Sequence, residues 1–128
     1  MCCVIETISP PDGSPSTSPS FVGIVALWIN AERAHRHAKY TISLGPQFQN
    51  KGYGTKITKF MVEYGFQYLN LHRISAVIPD GNDAAVAVCK QSGFTDEGRE
   101  RKARWQNGEW RDNILLGVLV DDWRRPKE

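Results

Sequence analysis

Gln49-Asn50-Lys51-Gly52-Tyr53-Gly54 lies between an alternating segment, Tyr40-Thr41-Ile42-Ser43-Leu44, and a stretch of helical period, Thr55 to Asn70. Alternation reads as a strand, and the change of period after the glycines reads as a helix. A strand, a glycine-bearing turn and a helix start form an anion site. The first helical amides have no partner within the helix, and the helix dipole places partial positive charge there. Glycine removes the side chain that would hold a phosphate off the backbone. The stretch therefore predicts a ligand carrying a diphosphate, although a plain loop before a helix would also fit these six residues.

Downstream of this turn, Ile57, Phe60, Met61, Tyr64 and Tyr68 recur at helical spacing, with Lys56, Lys59, Glu63 and Gln67 opposite. Asn70 suits the helix end. His72 to Ile78 reads as a strand stopped by Pro79-Asp80-Gly81, and Asn82 or Asp83 can cap a helix from Ala84 to Ser92 that Gly93 ends. Glu97 to Val120 reads as a hairpin turning at Asn107-Gly108, flanked by Trp105 and Trp110. Upstream, Lys39 to Leu44 alternates, Ala31 to His37 is a charged turn holding His35 and His37, and Phe21 to Ile29 is apolar enough for a strand buried on both faces. Cys3-Val4-Ile5 is a further strand, joined to it by a Pro-, Ser- and Gly-rich loop from Ser9 to Ser20. The expected order is strand, strand, strand, helix, strand, helix, strand, strand. The strand-helix-strand centre requires parallel pairing, and the ends require antiparallel pairing. This is an α+β sandwich with a mixed, mostly antiparallel sheet.

The 128 residues are enough for one domain with a core, 1–128, with 9–20 as its flexible loop. Hydrophobic content of 41% and charged content of 23% are those of a globular chain. A net charge of +2 is too mild to argue for nucleic acid, so no nucleic-acid partner is expected. No apolar run approaches the roughly 18 residues of a membrane span, and the start lacks the charged-then-apolar pattern of a signal peptide. Cys2, Cys3 and Cys89 are an odd set and no disulfide framework, which points to a cytoplasmic, reducing compartment. Cys2 and Cys3 fit a lipidation or metal site as the alternative, but with no partner ligands nearby they read as free thiols at a strand start, and no metal is expected.

Two motifs on these elements resemble the GNAT superfamily of acyl-CoA-dependent N-acyltransferases. Gln49, Gly52 and Gly54 match its Gln/Arg-x-x-Gly-x-Gly/Ala pattern after a strand; Asn82, Ala85, Gly93 and Phe94 match its Asn-x-x-Ala followed by Gly-Phe. Leu71-His72-Arg73-Ile74 is also typical, and the hairpin from Trp105 to Gly117 is similar to the branch acting on ribosomal-protein N-termini or spermidine. The resemblance covers roughly residues 21 to 123. It implies acetyl-CoA as donor and an amine, small molecule or peptide, as acceptor. Gln49, Asn50, Lys51, Gly52, Tyr53, Gly54 and Thr55 would hold the diphosphate. Ile42 to Leu44 would pair with the pantetheine arm between two splayed strands, and Asn82 and Ala85 would border it. An N–H of Ile42 or Ser43 would face the thioester oxygen, a contact worth roughly 3 kcal/mol where water is excluded.

The chain also departs from the family. Members begin with a strand and two helices that build much of the acceptor site, whereas this chain opens at what resembles the second strand. Many carry a tyrosine that protonates the leaving thiolate where this chain has Cys89. Cys89 is thus a candidate weak proton donor, or a packing residue. Glu63, His35, His37, His72, Glu109 and Asp112 are weighed as general bases, and surface or structural roles suit each. The basic run Arg99 to Arg104 reads as a solvated strand face. A shortened front would expose apolar surface and a strand edge, so a homodimer is expected. The alternative is a CoA-binding or oligomerising module without acceptor chemistry; a nucleotide-binding protein is a third reading.

Overall fold

The computed structural model describes residues 2–7, 20–45 and 52–124, with side chains from residue 23 onward. The strands are β1 (Cys2–Thr7), β2 (Ser20–Ile29), β3 (His37–Leu44), β4 (Arg73–Pro79), β5 (Thr95–Gln106) and β6 (Glu109–Leu119). The helices are α1 (Tyr53–Gln67), α2 (Asp83–Gln91) and the short α3 (Val120–Arg124). The strands form one sheet in the order β1-β2-β3-β4-β6-β5. Among the described residues only β3 and β4 pair in parallel; the other pairs are antiparallel. The expected α+β architecture is therefore present. Most of the Ser9 to Ser20 loop lies outside the described residues.

One face of the sheet carries the core. Val25, Leu27, Ala38, Tyr40, Ile74, Ala76, Leu116 and Val118 pack there against Met61, Val62 and Phe66 of α1 and Cys89 of α2. The other face shows Ile24, Trp28 and Val77 substantially exposed. The expectation that Phe21 to Ile29 is buried on both faces is thus corrected. Its apolar run reflects one packed face and one face on which no described helix sits.

The inward side of α1 also differs from the expected stripe. Gly54, Thr58, Met61, Val62, Gly65 and Phe66 are buried, while Phe60 is 63% and Tyr68 69% exposed. Small residues bring the helix close. A Cβ on Gly65 would come within 3.0 Å of side-chain carbons of Ile74 and Leu71. Phe60, Tyr64 and Tyr68 instead form an outward ladder of rings, with centroids 6.3 and 5.5 Å apart. Apolar periodicity follows this ladder because it cannot see that glycine and threonine make the closer contact.

The punctuation of the chain behaves as its residues dictate. Asn70, Gly93, Asn107 and Gly108 all take positive φ, closing helix ends and the hairpin. A bulge between Glu100 and Arg104 breaks the alternation of the exposed basic run, and Arg99 pairs with both Asp80 and Asp112. His37, expected in a turn, is the first residue of β3, its Nε2 2.7 Å from Ser75 Oγ. Burial, then the Arg73 guanidinium, lowers its pKa.

Gly23 shows how tightly β2 and β3 are joined: a Cβ there would overlap the Ser43 carbonyl oxygen, a backbone atom that cannot swing aside. Gly23→Ala should therefore cost about 1–3 kcal/mol, read as a lower denaturant midpoint with unchanged slope. An unchanged midpoint would show that the two strands separate freely at this end.

Candidate functional site

The parallel pair β3–β4 stops short. Its rungs are His37 with Arg73, Ala38 with Ile74 and Lys39 with Ser75. Beyond these, Tyr40 to Leu44 and Ala76 to Pro79 diverge, each still paired on its outer side, to β2 and β6. Strand amides and carbonyls point alternately to the two edges, so both strands turn polar backbone groups into the gap. A cleft of about 800 Å³ opens there. Its walls are Tyr40 to Leu44, Ala76 to Pro79, the start of α1 at Gly52, Gly54 and Thr55, and one side of α2.

The two helix starts converge on this cleft. Gly52 precedes α1 at φ 81°, with no side-chain cap and no acidic residue in the first turn. The first intrahelical bond runs from Lys56 N–H to the Gly52 carbonyl, so the amides of Gly54 and Thr55 precede the helical ladder. Gly54 has a second purpose. A Cβ there would lie 3.3 Å from a Val88 methyl and 3.7 Å from a Leu44 methyl, so its absence lets α1 settle against α2 and β3. Thr55 Oγ1 donates to Gln91 Oε1 at 3.0 Å, tying the helices together. Asn82 caps α2 by accepting from the Ala85 amide at 3.3 Å.

Of the residues singled out from sequence, Ile42, Ser43, Leu44, Gly52, Gly54, Thr55, Asn82, Ala85 and Cys89 all line this one cleft. Tyr53 opens α1 beside it. Gln49, Asn50 and Lys51 lie outside the described residues. None of the groups weighed as a general base lines the cleft. Asp112 accepts from Arg99 and from the Lys102 amide, and Glu63 is exposed. Among the described residues no group of His, Cys, Asp and Glu could hold a metal ion, and no helix is long and apolar enough to cross a membrane.

Sequence reading missed Tyr40 and Thr58. The Tyr40 hydroxyl lies 2.9 Å from Thr58 Oγ1, both side chains being buried. Burial drives the phenol pKa well above its usual range; the Thr58 hydrogen bond opposes this and the nearby Cys89 adds to it. A tyrosine in the inward column of Ala38 and Ile42 was the available signal. Burial alone pushes the Cys89 thiol up to about 11, so at neutral pH it is a protonated, poorly nucleophilic group.

Residues 2–95 match the family model described as the acetyltransferase (GNAT) domain. Spermidine N(1)-acetyltransferase of Escherichia coli (strain K12) is 32% identical over 97 residues, 76% of this chain and 52% of that protein. The [ribosomal protein uS5]-alanine N-acetyltransferase of the same organism is 29% identical over 100 residues. The chain spans about half the length of these relatives. Among solved structures, a point mutant of Vibrio cholerae spermidine N-acetyltransferase superposes with a TM-score of 0.81 at 26% identity, covering 96% of this chain and 67% of that one. The same enzyme in complex with CoA and spermine gives 0.77 at 28% identity, covering 84% and 63%.

The buried state of Cys89 is directly measurable. In a Cys2→Ser/Cys3→Ser background the remaining thiol should resist alkylation at pH 8 in native protein and react at once in denaturant. Native labelling at the rate of a free thiol would place Cys89 at the surface.

With the splayed parallel pair, the glycine-opened helix start and the family match to residues 2–95 in agreement, the chain belongs to the GNAT acetyltransferase family.

Proposed function

We propose that this chain binds acetyl-CoA and transfers its acetyl group to a primary amine by direct attack. The observation that carries the reading is the gap between β3 and β4, which turns extended backbone toward a cleft beside a helix start with no side-chain cap. The pantetheine arm holds amides that can bond such backbone as an added strand, and its diphosphate suits the amides at Gly52 to Thr55. Relatives named as spermidine and ribosomal-protein acetyltransferases support an amine acceptor, whether polyamine, peptide N-terminus or small amine.

The thioester oxygen needs a donor as it takes up charge. Gly23 lies against the Ser43 carbonyl, which therefore points toward β2. The N–H and C=O of one strand residue share an edge, so the Ile42 amide, rather than that of Ser43, faces the gap. The acceptor must reach the carbonyl as a free amine, since an ammonium of pKa about 10.4 has no lone pair. No carboxylate or imidazole lines the cleft among the described residues. Deprotonation is therefore assigned to solvent before the amine enters.

The reading extends to a single domain acting in the cytoplasm, where the free buried thiol of Cys89 stays reduced. It also includes a homodimer, supported by the apolar groups left outside the core: Ile24, Trp28 and Val77 on the sheet and Phe60 and Tyr68 on α1. A CoA-binding module without transfer activity would share the cleft and differ in turnover.

Calorimetry with acetyl-CoA tests the site, and CoA release with polyamines and N-terminal peptides tests the chemistry. Gly54→Glu should weaken binding by about tenfold or more, equivalent to 1.4 kcal/mol, because its side chain wedges α1 from Val88 and adds negative charge at the phosphate end. Unchanged affinity would remove the helix start from the site. Binding without amine-dependent release would leave the module in place of the enzyme.

A further inference from the structure

Tyr40 is the first residue of β3 beyond the last rung to β4, Lys39 with Ser75. It therefore stands at the closed end of the gap. It is 3% exposed, lines the cleft, and packs against Phe94 with ring centroids 6.4 Å apart. Its hydroxyl lies 2.9 Å from that of Thr58, itself fully buried. Phenylalanine and valine would fill these two positions without the cost of burying hydroxyls. Each hydroxyl can donate once and also accept. When Thr58 donates to Tyr40, the phenolic O–H is left over for a group in the cleft that Tyr40 lines. Among the described residues that line the cleft, Cys89 is the one other titratable side chain, and it lies close enough to act on the phenol. Burial keeps the phenol protonated across the working range, so it is a permanent donor.

We propose that Tyr40 donates a hydrogen bond to the sulfur of the departing CoA thiolate, with Thr58 as its positioning residue. The assignment rests on the acyl-CoA reading above. The amine lone pair forms the C–N bond while the carbonyl electrons move to oxygen. Collapse reforms C=O and breaks C–S, and that electron pair goes to sulfur. The phenol keeps its proton, because a thiol of pKa about 8.5 is the stronger acid. The proton lost by nitrogen passes to solvent, and the released thiolate takes one up from solvent. Cys89, raised to about 11 and buried, shares the wall without carrying this bond.

The test is the pKa of the CoA thiol while bound, read from thiolate ultraviolet absorbance against pH in a Cys2→Ser/Cys3→Ser background. Tyr40→Phe should leave CoA affinity near wild type. It should raise the bound thiol pKa so that thiolate formation is about tenfold less favourable, one pKa unit, and slow acetyl transfer by a similar factor. Thr58→Val should shift both in the same direction by less. An unchanged thiol pKa in Tyr40→Phe overturns the proposal. If that variant does not fold, an unchanged value in Thr58→Val does so instead. Failure of wild type to bind CoA removes the acyl-CoA reading and this assignment together, whereas normal binding with an unmoved thiol pKa removes this assignment alone.

Discussion

The early end of parallel pairing between β3 and β4 is the constraint on which the site depends. Three rungs hold the strands together, and past Lys39 and Ser75 they part. Each strand remains anchored on its outer side, β3 to β2 through Leu44 and β4 to β6 through Pro79. The gap is therefore held open by ladders on both flanks. Unpaired backbone in an interior is costly, so such a gap persists where something else satisfies it. Under the proposed acyl-CoA function, a ligand with its own amides would do so.

The helices complete the cleft through small residues. Gly54 lets the start of α1 meet Val88 and Leu44, and Gly65 lets its middle meet Ile74 and Leu71. The helix thus lies low on the sheet, its uncapped start aimed at the open end of the gap, while Thr58 reaches Tyr40 at the closed end. One helix sets both extremes of the cleft. In the proposed function, phosphate recognition and the environment of the thioester would both depend on how this one helix packs.

The element order and the cleft walls were legible because they rest on local chemistry. Gly52 and Gly54 mark the turn, Asn82 caps α2, and Asn107-Gly108 turns the hairpin, each for a conformational reason readable at its own position. Burial around α1 was less legible. Phe60 and Tyr68 fit the apolar period and yet face outward, because the inward contact is made by Gly65, Thr58 and Gly54. Tyr40 was hidden for a similar reason. Its significance lies in a partner 18 residues away on another element, at 2.9 Å, and in the rung where pairing ends, and neither is a property of its own segment.

Backbone amide hydrogen exchange gives the most direct view of the central claim, that the gap takes up an extended arm as an added strand. Adding CoA should slow exchange at alternate amides of Ile42 to Leu44 and Ala76 to Ile78, beyond any effect at Gly52 to Thr55. 3′-Phospho-ADP, which lacks the arm, should protect the helix start alone. Equal protection by the two compounds, or none along the strands with CoA, would contradict the account.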